Sequence, residues 1–281
     1  MKKIWITGAA GHVGNALVYL LDGNQYEILA TDMKEVDITD LNAVRCYCQK
    51  NRPDVIINCA GITDLHECQK YQDQAYLVNA LGARNIAQEA QAIGAKLIQM
   101  STDDVFGRDG TVPFNEFDKL EPRSVYGRSK AAGEQFVKDL ISRHIIIRSS
   151  WVYGTGHDFI NDVLYTVEHG GILHVPSNHV STPTSAKELA KVILYFIEND
   201  IYGTYHAVCK GYCSRYEYAK EVLELTGNTT KLQVEPYIDE SKIRPRYSVL
   251  DNMMLRLSGI PEPMDWREAL AEYIRETGGN M

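Results

Sequence analysis

Short apolar runs alternate with amphipathic stretches along the first half of the chain. Residues 3–7 are mostly apolar, as a strand buried on both faces requires, and residues 13–21 follow with helical spacing. The pairing then recurs, with a strand at 26–31, a helix opened by Asp40 at an N-cap position, a break at Arg52-Pro53-Asp54 and a strand at 55–58. The longest helical pattern covers 71–93 and stops at Gly94. A strand at 96–100, a helix at 126–141 and a strand at 144–148 complete the series. This alternation predicts an α/β fold, a doubly wound parallel sheet of the Rossmann type with helices on both faces. After Trp151 the rhythm changes. Helices are expected at 159–168, 185–199, 215–226 and 266–276, with short strands such as 203–208 between turn-rich pieces. We read residues 1–151 as one domain and 152–281 as a smaller region whose chain returns to the main sheet.

Composition narrows the class. Hydrophobic residues make up 44% of the 281 and charged residues 23%, so a sizeable core forms without disulfides or metals. The formal charge is −8, from 29 basic and 37 acidic residues, which disfavours nucleic-acid backbones and anionic membranes. A nucleotide-bearing ligand in a locally basic pocket stays open. No apolar stretch approaches the roughly 18 residues of a membrane-spanning helix, and no signal peptide is expected. The six cysteines at 46, 48, 59, 68, 209 and 213 make no CxxC pair and have no histidine cluster beside them. They are read as reduced thiols of a cytoplasmic protein, with no metal site.

Gly8-Ala9-Ala10-Gly11-His12-Val13-Gly14 joins the first strand to the first helix. Glycine allows a sharp turn and close backbone approach, and the helix start offers free N–H groups, so this loop suits a dinucleotide phosphate. Residues 1–151 are therefore read as dinucleotide-binding. Asp32 lies roughly 20 positions past the glycines, where an acid bonds the adenosine ribose and repels a 2′-phosphate. It favours NADH, while the nearby Lys34 keeps NADPH within reach. Asp37 and Ile38 are expected at the adenine edge. The bland alternative for Asp32 is a turn residue.

Tyr126 and Lys130 lie one turn apart on a helix face. A phenol titrates near ~10, and a neighbouring ammonium is expected to lower that value into working range. Thr102, in Ser101-Thr102-Asp103-Asp104, ends a strand at the edge where ligands of open α/β sheets bind. Its hydroxyl is expected to bond a ketone oxygen while Tyr126 delivers the proton. A surface pair and an ST-turn are the structural alternatives.

With Gly-x-x-Gly-x-x-Gly, Ser-Thr-Asp and Tyr-x-x-x-Lys in this order, the chain resembles the extended short-chain dehydrogenase/reductase superfamily. Within it the chain is most similar to the dTDP-4-dehydrorhamnose reductases, over nearly its whole length. The segments at 52–58, 150–154, 182–184, 244–252 and 265–270 support this. The resemblance implies hydride transfer to C4 of a dTDP-linked keto-deoxy sugar, with residues 152–281 as the substrate-binding region. It implies Thr102 and Tyr126 at the ketone, Lys130 on the nicotinamide ribose and Trp151 against the sugar. Cys59, Ala60, Gly61, Met100 and Ser101 would line the cofactor, and Thr63, Asp103 and Asp104 would face the substrate. A nucleotide sugar is the expected partner, and a homodimer is compatible.

The pattern departs in two places. Asp104 stands where the family usually has tyrosine. That admits a second reading, a nucleotide-sugar 4,6-dehydratase or epimerase with bound NAD and Asp103/Asp104 as acid and base. The loop 61–67 also differs, so Asp64 and His66 are either new sugar contacts or solvated. Glu188 reads as a solvated helix face rather than as part of the family's metal-bridged dimer. A third reading is a regulatory subunit that keeps the dinucleotide site without its chemistry.

Overall fold

Ile4 and Ile6 point to one face of a sheet and Trp5 to the other, and all three are fully buried. This is what a nearly continuous apolar run produces in a parallel sheet covered on both sides. The computed structural model describes residues 1–108, 110–241 and 243–278. Its first half runs β1 (Lys2–Thr7), α1 (His12–Leu20), β2 (Tyr26–Thr31), α2 (Leu41–Asn51) and β3 (Val55–Asn58). A helical series follows: α3 (Leu65–Lys70), α4 (Gln72–Tyr76), a π-helical turn (Leu77–Gly82) and α5 (Ala83–Ile93). Then come β4 (Lys96–Thr102), a 3-10 turn (Asp103–Val105), α6 (Val125–Leu140) and β5 (His144–Ser149).

The second half begins with β6 (Val152–Tyr153), α7 (Phe159–His169), β7 (Ile172–Pro176), β8 (Val180–Ser181) and β9 (Thr184–Ser185). It continues with α8 (Ala186–Glu198), β10 (Gly203–His206), β11 (Cys213–Ser214) and α9 (Arg215–Leu225). The last elements are β12 (Gln233–Tyr237), α10 (Met253–Leu257) and α11 (Trp266–Glu276).

The main sheet has the order β10-β5-β4-β3-β1-β2, parallel throughout. One face packs on α1 and α8 through Leu17, Leu189 and Ile193, the other on α2, α5 and α6 through Val44, Ile86 and Val137. The late chain thus returns to the sheet twice, as a covering helix and as an edge strand. A separate core forms around Tyr153, Val163, Tyr218, Val222, Trp266 and Leu270.

Several expectations need correction. The predicted helix at 71–93 runs without a gap from 72 to 93, but its middle, Leu77–Gly82, widens into a π-turn. That wider turn carries Asn79, whose Nδ2 donates to the Ile62 carbonyl at 2.9 Å and to Ser129 Oγ at 3.0 Å, tying a loop to α6. The loop at 61–67 contains the start of α3, capped by Asp64, which accepts from the Glu67 N–H at 2.6 Å. Asp64 is thereby a helix cap and His66 lies on that short helix, exposed. Glu188 is not on a solvated face: it is 7% exposed, accepts from the Met264 N–H at 3.0 Å and pairs with Lys191. The segment before α11 packs over α8 and covers it. Among the described residues no helix is long and apolar enough to cross a membrane.

Candidate active site

At the carboxyl ends of the central strands a buried polar ladder crosses the sheet. Thr7 Oγ1 donates to Asn58 Oδ1 at 2.7 Å and Asn58 Nδ2 donates to Gln99 Oε1 at 2.8 Å. Buried polar groups that satisfy one another fix register, so this ladder aligns the loops above it. Over it lies a cavity of about 410 Å³ between the main sheet and the second core.

The glycine loop forms one wall. Gly8 has φ +64°, and a Cβ there would stand 2.7 Å from the Ala60 nitrogen; at Gly14 it would stand 2.4 Å from the Gly8 carbonyl oxygen. No side chain caps α1, whose N-cap is Gly11, so its first amides are free for a ligand. Asp32 Oδ2 accepts from the Ala10 N–H at 2.8 Å, bracing the loop. These features suit a dinucleotide. Gly11, His12, Val13, Gly14, Cys59, Gly61, Met100 and Ser101 line the cavity, while Gly8 and Ala60 form the backing of the loop. The structure does not bring Asp37 and Ile38 to it: Asp37 accepts from Thr39, and Ile38 packs in the core against Gly82.

Thr102, Tyr126 and Lys130 converge in the same cavity. β4 runs two residues past its predicted end because Ser101 and Thr102 pair with Arg148 and Ser149 of β5. Helix α6 starts where Ser124 Oγ accepts from the Gly127 N–H at 2.9 Å, which puts Tyr126 in its first turn. One turn on, Lys130 Nζ donates to the Met100 carbonyl at 2.7 Å. Burial pushes the Tyr126 phenol well up, only partly offset by the Thr102 hydroxyl, and Asp104 and Asp103 add to the rise. The expected lowering by Lys130 is therefore outweighed by burial. Lys130 is the group brought toward neutrality, lowered to about 8 by burial, with Glu134 opposing.

Trp151 adopts φ +39°, a left-handed conformation that costs a non-glycine residue ~1–2 kcal/mol and here turns the indole to the cavity. The Arg215 guanidinium lies over its ring, 3.8 Å from the centroid, and over Phe159 at 4.7 Å. Thr63, Asp103 and Asp104 also line the cavity. The sequence reading missed Arg215, Tyr218 and Phe159, and knew Arg244 only as part of a supporting segment. Neither Arg215 nor Arg244 has a side-chain hydrogen bond or ion pair among the described residues, and burial followed by Arg244's charge lowers Arg215 to about 9. One signal was available: Arg215 opens α9, where the helix dipole disfavours a cation. A residue placed against that preference calls for another reason to be there.

Comparison with known proteins adds the family. Residues 1–278 match the family described as the RmlD substrate binding domain. The spore coat polysaccharide biosynthesis protein SpsK of Bacillus subtilis is 38% identical over 98% of this chain and 98% of its own. A crystal structure of a dTDP-4-dehydrorhamnose reductase from Clostridium acetobutylicum superposes with a TM-score of 0.94 at 40% identity, covering 98% of this chain and 99% of that one. The dTDP-4-dehydrorhamnose reductase of Bacillus anthracis, in complex with NADP, gives a TM-score of 0.95 at 37% identity, covering 99% and 100%.

Proposed function

The chain belongs to the RmlD substrate-binding-domain family, and from that premise we propose that it reduces the 4-keto group of a dTDP-linked 6-deoxy sugar with NAD(P)H. The reaction is that of dTDP-4-dehydro-L-rhamnose going to dTDP-L-rhamnose. The observation that carries the reading is the convergence of Thr102, Tyr126 and Lys130 in a cavity that Arg215 and Arg244 also line.

A nicotinamide dinucleotide held by the glycine loop would supply the hydride to C4. This chain's residues manage the oxygen. The raised Tyr126 phenol is protonated throughout the neutral range, so it is a donor ready for the oxygen as negative charge develops there. The Thr102 hydroxyl, which donates to Asp103 at 3.1 Å, would turn from it to bond that oxygen. Lys130, held by the Met100 carbonyl, lies one turn from the phenol and stabilises the phenolate left behind. Arg215 and Arg244 suit the diphosphate of the substrate, and Trp151 offers a flat face to its sugar. The second half of the chain is accordingly the substrate side. Asp32 favours NADH, and an assay with both cofactors measures the preference.

The elimination reading needs two free carboxylates. Asp103 is bonded by Thr102, Ser181 and Ser248, which leaves it poorly suited to proton transfer.

The test is Tyr126→Phe, assayed by nicotinamide absorbance with dTDP-4-dehydro-L-rhamnose. We expect kcat to fall by about 10²–10⁴ with dTDP affinity retained. Near-native turnover overturns the mechanism.

A further inference from the structure

Two adjacent carboxylates in the turn after β4 sit in opposite circumstances. Asp103 is fully engaged, accepting from Thr102 Oγ1 at 3.1 Å, Ser181 Oγ at 2.9 Å and Ser248 Oγ at 2.6 Å. It joins three distant segments. Asp104 is nearly as buried, at 7% exposure, yet its carboxyl group has no hydrogen bond or ion pair among the described residues. Only its main chain is held. Its N–H donates to Thr102 Oγ1 at 3.2 Å, and its carbonyl is pressed against α6, where a Cβ on Gly127 would stand 2.1 Å from that oxygen. The turn is rigid, and the side chain lines the cavity together with Tyr126, Arg215 and Arg244.

The Asp104 carboxyl opens onto the cavity rather than into the packed interior, so a group bound there can reach it. A hydroxyl of a sugar lying between Tyr126 and the two guanidiniums is within the reach of this side chain. We propose that Asp104 is a specificity-determining residue whose carboxyl group donates a hydrogen bond to a ring hydroxyl of the sugar. This rests on the reductase reading above.

Burial and the neighbouring Asp103 favour the neutral form. Burial, then the charge of Asp103, push Asp104 up to about 7, while Arg244 and Arg215 pull the other way. Tyr126 faces it from α6 as an uncharged phenol, with Lys130 one turn further on. A diphosphate on the two guanidiniums would cancel their pull and favour the neutral acid further.

The experiment compares wild type, Asp104→Asn and Asp104→Ala, measuring kcat/KM for the keto sugar from about pH 6 to about pH 9, with the Ki of free dTDP as a second readout. Wild-type kcat/KM should fall above about 7 and again above about 8, the second step belonging to Lys130. Asp104→Asn, a donor that cannot ionise, should keep the low-pH value and lose only the first step. Asp104→Ala should raise KM roughly tenfold or more, leaving the dTDP Ki unchanged. A step near neutrality that persists in Asp104→Asn overturns the proposal. So does parallel weakening of dTDP in Asp104→Ala, which means that the residue merely shapes the pocket. Wild-type enzyme that binds dTDP but oxidises neither NADPH nor NADH with the keto sugar overturns the reductase reading, and this inference with it.

Discussion

At the scale of single residues, burial favours the neutral form of both members of the Tyr-x-x-x-Lys pair. It raises Tyr126, which keeps the phenol a proton donor, and lowers Lys130 to about 8, which makes the ammonium the fragile partner. Below that pH the lysine is charged and can stabilise a phenolate; above it the support is lost. Apart from the limb assigned to Asp104, kcat/KM should therefore drop as pH passes about 8. Lys130→Arg keeps a cation at every accessible pH, so its profile should lack this limb. The rate should be lower throughout, because a planar guanidinium does not reproduce the ammonium's bond to Met100.

At the scale of elements, activity depends on how α6 is pinned to the sheet. Glu134, one turn past Lys130, takes two bonds from Arg148 of β5, at 2.9 and 2.7 Å, and one from Ser101 of β4 at 2.6 Å. All three residues are buried, and the pairing holds the helix in register with Thr102. Glu134→Ala strands the guanidinium, and chemical denaturation should show a loss of ~3–5 kcal/mol. The same network reaches His206 of β10, whose Nε2 accepts from Arg148 at 3.3 Å while Nδ1 donates to the Asp251 carbonyl at 3.1 Å. Burial, then the charge of Arg148, hold His206 down to about 3. The unfolded histidine binds a proton below ~6.5 while the folded one stays neutral, so stability falls as pH drops through that window. His206→Asn should lower Tm at neutral pH yet shrink the difference between pH ~7 and pH ~4.5, read by thermal melts.

At the scale of the whole molecule, the cavity lies between the sheet and the second core, so ligands should bind to both and hold them together. NADPH at about 100 times its Kd should stabilise the fold by ~2.7 kcal/mol, raising Tm by roughly 5 °C or more. Gly14→Ala puts a Cβ 2.4 Å from the Gly8 carbonyl oxygen and should abolish that shift. A variant that still shows the full shift would mean that the cofactor does not lie on this loop.

The chain's own pattern determined the alternating elements, the glycine loop and the Tyr126–Lys130 spacing, because each is written in local periodicity or in the residue types a turn demands. Helix α11 and the cap at Asp40 were legible for that reason. Tertiary structure alone decided the rest. It brought Arg215 and Arg244 to one cavity from distant segments, engaged the Asp103 carboxyl while leaving that of Asp104 without a hydrogen bond among the described residues, and hid Glu188 under a later loop. Those outcomes depend on which groups lose water and which neighbours replace it, and a one-dimensional spacing carries no record of either.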